Sequence, residues 1–96
     1  MLYGALEAGG TKMVLAVSDE RLNMLDRLTL PTKTPSETMS AMIDFFRERR
    51  VDALGVGTFG PVNLHADSPD YGTITATPKL AWRGYPLLRA FREALH

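Results

Sequence analysis

Two short apolar segments joined by a glycine pair constrain the fold of this chain more than any other feature. Residues 2–8 and residues 13–18 are rich in apolar and small side chains, and Gly9–Gly10 lies between them. Apolar runs of this length separated by glycines are typical of a β-hairpin. Residues 25–32 alternate in polarity and predict a third strand, which Pro31 ends. The chain is therefore expected to begin with three meandering strands.

An amphipathic helix is predicted directly after these strands. Thr34 is a suitable N-cap, Pro35 suits the first helical position, and Glu37 occupies the capping-box position. The helix should be about fifteen residues long, judged from its apolar period. Its core-facing stripe should consist of side chains at helical spacing, namely Met39, Met42, Ile43 and Phe46.

Strands and helices alternate in the rest of the chain. Residues 53–59 predict a buried strand parallel to an earlier one, because a helix precedes it closely. Residues 62–72 are loop-like, residues 73–77 predict a short strand, and a second helix should begin near Pro86. The fold class expected from this order is α/β with a mixed sheet.

Composition excludes several classes of protein. The 96 residues suffice for one domain, and eleven basic side chains balance eleven acidic ones. This balance argues against a nucleic-acid partner. The chain contains no cysteine, which excludes disulfides and cysteine metal sites. We find neither a signal peptide nor an apolar run long enough to cross a membrane, so a cytoplasmic protein without a membrane partner is expected.

The glycine turn is a candidate phosphate site. Gly9 and Gly10 would let phosphate oxygens approach backbone N–H groups, and Thr11 could donate a hydroxyl hydrogen bond. Lys12 could supply a compensating positive charge, and Glu7 could hold Mg²⁺ through water. The alternative interpretation is an ordinary hairpin turn, because glycine pairs are common there. The six residues alone leave both interpretations open.

Residues 55–60 match the dinucleotide fingerprint G-x-G-x-x-G but lack its context. That fingerprint requires a helix directly after the last glycine, whereas Pro61 and a long loop follow here. We interpret the glycines as a means of close packing within a strand. Gly60–Pro61 would then form a bend at the carboxyl end of the strand, where α/β sheets tend to bind ligands.

Three segments of the sequence together resemble the ROK family of bacterial sugar kinases. They are residues 7–12, residues 57–62 and residues 67–82. Glu7, where many family members have Asp, is similar to the fructokinase-like branch. The pairs Tyr71–Gly72 and Thr77–Pro78, followed by Lys79 and Trp82, are also similar to fructokinases. The resemblance extends over nearly the whole chain but covers only the first third of such a kinase.

The resemblance implies an incomplete actin-like (ribonuclease H-like) ATPase domain over residues 1–96. It places the residues 7–12 against the phosphates of ATP and Mg²⁺. It places one further group of residues in the sugar cleft, namely Gly60, Pro61, Thr77, Pro78 and Lys79. The family's catalytic Asp and its zinc ligands would lie beyond residue 96, so no catalytic residue is expected in this chain.

The function implied is ATP-dependent phosphorylation of D-fructose to fructose 6-phosphate, with this chain inactive by itself. The partners implied are a small sugar and ATP, and the full-length kinase would be a homodimer. A non-catalytic sugar-sensing module of the same family remains an alternative.

Overall fold

The computed structural model describes residues 1–58, 61–75 and 79–95 of the chain. These residues belong to two compact units, Met1–Phe59 and Gly60–His96. Neither helix of the described residues has the length and hydrophobicity of a membrane span.

A four-stranded mixed sheet forms the first unit, in the spatial order β3-β2-β1-β4. β1 is antiparallel to β2 and parallel to β4, and β2 is antiparallel to β3. The predicted hairpin, third strand and parallel fourth strand are therefore confirmed. The strands are β1 (Tyr3–Ala8), β2 (Lys12–Ser18), β3 (Met24–Pro31) and β4 (Ala53–Thr58).

Helix α1 (Pro35–Arg49) covers one face of this sheet. The strand residues buried on that face alternate along β1 and β2, as the two-residue period of a strand requires; they are Leu6, Ala8, Met13, Leu15 and Val17. Gly4 lies opposite the helix, since a Cβ at this position would be 3.0 Å from the ring of Phe46. The absence of a side chain at Gly4 therefore lets α1 pack close to the sheet.

The capping signals at the start of α1 act as expected. The N–H of Glu37 donates to Thr34 Oγ1, which in turn donates to the Glu37 carboxylate at 2.9 Å. Arg50 ends the helix in the left-handed conformation, and its N–H donates to Arg47 O. Met39, Met42 and Phe46 are buried as predicted, but Ile43 is only half-buried and Phe45 is an additional buried residue.

Two predictions for β4 are wrong. The strand is not buried: Ala53, Gly55 and Gly57 are exposed, because among the described residues β4 pairs only with β1. Its glycines do not serve close packing either. A Cβ at Gly55 would meet no described atom within 4 Å, and one at Gly57 would meet only Leu6 O at 3.9 Å.

A short 3₁₀ turn and helix α2 (Leu87–Leu95) are the helical elements described in the second unit. The turn, Leu80–Trp82, buries the Trp82 indole. The indole packs edge-on against the Tyr85 ring, with 5.3 Å between the ring centroids. The predicted strand at residues 73–77 is reduced to one bridge between Val62 and Ile74 in its described part. On its other edge the segment bonds to a turn and not to a strand, since Ile74 N–H donates to Tyr85 O.

An ion pair joins β3 to the end of α1. Arg49 Nε donates to Asp26 Oδ2 at 2.6 Å, while Arg49 Nη1 donates to Phe45 O at 3.1 Å. The guanidinium also lies 3.9 Å from the centre of the Phe45 ring. The hydrogen bond from Arg49 holds the pKa of Asp26 below its ordinary value.

We expect Gly4→Ala to destabilise the first unit by about 1–3 kcal/mol, because the new Cβ would overpack against Phe46. The matched control is Gly55→Ala, which introduces the same methyl group in a neighbouring strand where no described atom lies within 4 Å. It should be neutral or stabilise by roughly 0.5–1 kcal/mol. Urea unfolding followed by circular dichroism measures both changes, and equal effects would contradict the packing of Phe46 against Gly4.

The Asp26–Arg49 pair should make stability depend on pH. Because the folded-state pKa of Asp26 is lowered, its contribution is present above the unfolded pKa of about 3.9 and is lost as pH falls through the folded value. Asp26→Asn should therefore lower the free energy of unfolding near neutral pH, and this difference should shrink in acid. Asp44→Asn is the control, since Asp44 lies 3.9 Å from Arg47 in an exposed pair. A difference that is constant with pH would contradict the assignment.

Candidate phosphate-binding site

The loop between β1 and β2 is held by a residue from the end of β3. Thr32 Oγ1 donates to Gly9 O at 2.8 Å, and Thr32 N–H donates to Thr11 O at 2.9 Å. Within the loop, Gly9 N–H donates to Lys12 O at 2.9 Å. The carbonyls on both sides of Gly10 are therefore fixed, so the loop has a defined conformation.

Two backbone N–H groups of this loop remain available. Neither Gly10 nor Thr11 donates its N–H to an acceptor among the described residues. The hydroxyl of Thr11 also has no partner in that part of the chain, and its side chain is exposed. A polar N–H group that the protein leaves unpaired is normally satisfied by water or by a ligand. The loop thus presents three neighbouring donors.

Glycine occupies positions 9 and 10 of the loop for different physical reasons. A Cβ at Gly9 would lie 2.5 Å from Lys12 O, so the turn itself requires glycine there. A Cβ at Gly10 would meet no described atom within 4 Å, so packing does not require glycine at this position. The space above Gly10 is where an oxygen atom of a ligand could approach the backbone closely.

Glu7 and Lys12 lie on the sheet face opposite α1. Glu7 pairs with Val14 in β2 and with Gly57 in β4, and Lys12 precedes Val14 by two residues, which places Lys12 on the same face as Glu7. Both side chains are exposed, and neither forms an ion pair with a described residue. One acidic and one basic group therefore flank the loop.

A single carboxylate beside a phosphate loop fits Mg²⁺ better than an all-protein metal site. Magnesium retains several waters and is usually held by one or two carboxylates together with substrate phosphates. No group of three or more His, Asp or Glu side chains that could hold a metal occurs within residues 1–58, 61–75 and 79–95. Glu7 could thus contribute to a hydrated magnesium ion only together with a phosphate ligand.

The predicted sugar-cleft residues lie in the second unit. Pro61 is exposed, and its carbonyl accepts from Thr75 N–H at 2.8 Å and from Thr75 Oγ1 at 3.0 Å. Lys79 is exposed, and its carbonyl accepts from Trp82 N–H at 2.9 Å. Gly60, Thr77 and Pro78 lie outside the described residues. The sugar-cleft assignment therefore stays a prediction.

Sequence reasoning missed Thr32, which holds the loop from 21 positions beyond Thr11. Its role follows from the pairing of Lys12 with Pro31, which brings the residue after β3 next to the loop. No motif or spacing indicates this contact, because it depends on the register between β2 and β3.

Relatives of known name match nearly the whole chain. A fructokinase from Lactococcus lactis subsp. cremoris is 48% identical over 93 residues, which are 97% of this chain and 32% of the relative. A fructokinase from Pediococcus pentosaceus is 49% identical over 88 residues, which are 92% of this chain and 31% of the relative. This chain thus spans about a third of the length of these relatives.

Solved structures share the fold. A ROK family protein from Streptococcus pneumoniae TIGR4, in complex with sucrose, superposes with a TM-score of 0.78 at 17% identity, over 98% of this chain and 32% of that one. A ROK family glucokinase from Streptomyces griseus, in complex with glucose and AMPPNP, gives a TM-score of 0.75 at 24% identity, over 97% of this chain and 30% of that one. The predicted α/β fold with a mixed sheet is therefore confirmed.

The relatives, the solved structures and the family profile all indicate the same protein family. The profile of the ROK family matches residues 3–96, which is nearly the full length of the sequence. On this evidence the chain belongs to the ROK family.

Proposed function

We propose that this chain supplies the nucleotide-phosphate loop of an ATP-dependent fructokinase, which converts D-fructose to fructose 6-phosphate. The observation that carries the proposal is the pair of unpaired N–H groups at Gly10 and Thr11, in a loop whose Gly9 and Thr11 carbonyls are already bonded to Thr32. The names of the relatives at 48% and 49% identity support the choice of fructokinase.

The role of the loop in phosphoryl transfer would be to position the phosphates of the nucleotide and to neutralise their negative charge. Such reactions depend on holding the phosphates in line with the attacking hydroxyl and on stabilising their negative charge. The N–H groups of Gly10 and Thr11 would donate to phosphate oxygens, and the Lys12 ammonium would add a positive charge. Glu7 would accept hydrogen bonds from waters around Mg²⁺. The magnesium ion, when bound, would neutralise further negative charge on the phosphates.

The remaining parts of the mechanism are proposed from the family. Gly60, Pro61, Thr77, Pro78 and Lys79 would line the sugar cleft. The base that accepts the proton of the sugar hydroxyl, and a structural zinc site, would belong to the rest of the kinase. We also propose a homodimer for the full-length kinase, and the cytoplasm as its location.

Binding of Mg-AMPPNP to the chain tests the loop. We expect a dissociation constant of about 1 mM or weaker, because this chain offers only part of a nucleotide site. In a ¹⁵N-labelled sample, the amide signals of Gly10, Thr11 and Lys12 should shift. Gly10→Ala should weaken binding by about tenfold, since its Cβ would occupy the space a phosphate oxygen needs. Lys12→Met should weaken it by a similar factor through loss of charge.

Arg21→Met is the control for the charge change. Arg21 lies in the turn at the opposite end of β2 and is exposed, so its loss removes one positive charge away from the loop. Shifts confined to residues outside 7–12, or equal weakening by Arg21→Met and Lys12→Met, would contradict the loop assignment.

A chimeric kinase tests the activity. Residues 1–96 would replace the matching N-terminal third of the Lactococcus fructokinase, and phosphorylation of fructose and glucose would be followed by a coupled assay. We expect ATP-dependent phosphorylation of fructose, and a loss of about tenfold or more in kcat/KM when Lys12→Met is introduced. A folded chimera without fructose phosphorylation, beside an active parent enzyme, would overturn the proposal.

A further inference from the structure

A buried hydroxyl on α1 has no role in the site described above. Among residues 1–58, 61–75 and 79–95, only Thr38 is both polar and buried, with 3% of its surface exposed. A hydroxyl removed from water is costly unless it forms a hydrogen bond. Thr38 Oγ1 accepts a hydrogen bond from Lys33 N–H at 2.9 Å. The buried hydroxyl therefore fixes a backbone group that lies outside its own helix.

This hydrogen bond acts at the centre of the segment that connects β3 to α1, residues 32–34. The connecting segment lies between Pro31, the last residue of β3, and Pro35, the first residue of α1. Each proline fixes its own φ, and Pro35 also favours an extended conformation at the residue before it. Thr34 accordingly has φ −67° and ψ 155°. Because few of its torsions are free, a constraint at the centre of the segment is transmitted to its ends.

The residues on either side of Lys33 bind two different parts of the first unit. Thr32 Oγ1 donates to Gly9 O at 2.8 Å, and Thr32 N–H donates to Thr11 O at 2.9 Å. On the other side, the Thr34 hydroxyl caps α1. Consecutive Cα atoms are only about 3.8 Å apart, so a displacement of Lys33 must also displace Thr32. The helix is thereby linked to the β1–β2 loop through a single peptide unit.

Removal of the Thr38 hydroxyl would deprive the Lys33 N–H of its acceptor. An N–H group that loses its partner carries a free-energy penalty, which the connecting segment can relieve only by moving to reach water. Such a movement would pull Thr32 away from the carbonyls of the loop. The donors at Gly10 and Thr11 would then lose their fixed directions, and a ligand would have to bear the cost of ordering them.

We propose that Thr38 is a positioning residue for the phosphate loop, acting from α1 through Lys33 N–H and Thr32 on the donors of Gly10 and Thr11. The inference rests on the proposed function for the identity of the ligand, and it adds a support that lies outside the loop. The coupling must be reciprocal, because effects between two linked sites are equal in both directions. A nucleotide that holds the loop should therefore also stabilise the connecting segment.

Thr38→Val tests the support in the nucleotide-free chain, because it keeps the shape of the side chain and removes the acceptor. In a ¹⁵N-labelled sample, hydrogen exchange of the Thr32 and Lys33 amides should become about tenfold faster or more, since local opening of the segment becomes easier. Exchange at Leu15, in the centre of β2, should change much less. Thr38→Ser retains the oxygen and should restore slow exchange. Equal acceleration at Leu15, or none at Thr32, would overturn the inference.

The chimeric kinase gives the functional readout. Thr38→Val should lower kcat/KM for ATP by about tenfold and leave the KM for fructose unchanged, because only the phosphates would be misplaced. Thr38→Ser should recover most of this loss. Gly4→Ala is the control for lost stability, since it disturbs α1 at Phe46, about two turns from Thr38. It should leave kcat/KM for ATP unchanged, and an equal loss in both variants would contradict a positioning role.

A measurement on the unaltered chain tests the reciprocal effect and does not depend on the folding of any variant. At ten times its dissociation constant, Mg-AMPPNP should slow exchange of the Lys33 amide, by up to roughly the tenfold that linkage allows. Shifts of Gly10 and Thr11 without slower exchange at Lys33 would overturn the inference and leave the phosphate loop in place. The absence of any shift at Gly10 and Thr11 would overturn the proposed function, and the inference with it.

Discussion

The candidate phosphate site depends on the hydrogen bonds between Thr32 and the β1–β2 loop. These two hydrogen bonds, to Gly9 O and Thr11 O, occupy acceptors that would otherwise be available to neighbouring N–H groups. An ordinary hairpin turn satisfies most of its donors internally. This loop instead bonds two of its carbonyls to Thr32, the residue after β3, and leaves two N–H groups for an external acceptor.

The sheet places charge around the loop through the same register. Because β1 pairs with β2 on one side and with β4 on the other, Glu7 lies between Val14 and Gly57. Gly57 has no side chain, so Glu7 has open space on its β4 side. The helix covers the opposite face, where the core side chains lie. The fold thus separates a packed face from a face on which charged groups remain accessible.

Glycine serves three different purposes in this chain. At Gly4 it lets the Phe46 ring approach the sheet, and at Gly9 it avoids a clash with Lys12 O. At Gly72 it combines a positive φ of 82° with a close approach of Leu88, whose Cβ would lie 2.3 Å from an added Cβ. None of these reasons applies at Gly10 or Gly55. Glycines that neither packing nor backbone geometry requires are candidates for a functional reason.

Much of the fold could be predicted because its signals are local. The bounds of α1 follow from Thr34, Pro35 and Glu37, since capping involves atoms within one helical turn. The hairpin likewise follows from apolar runs on either side of Gly9–Gly10. The burial of β4 could not be predicted, because an apolar strand has the same sequence at the centre of a sheet and at its edge.

The sequence by itself determined the element order, the family resemblance and the residue types of the phosphate loop. Only the tertiary structure decided which donors of the loop are free and that Thr32 holds the loop. The physical reason is the separation along the chain over which each kind of interaction acts. Propensity and capping act between residues a few positions apart, whereas hydrogen-bond partners of a loop are set by strand register between residues that are distant in the chain.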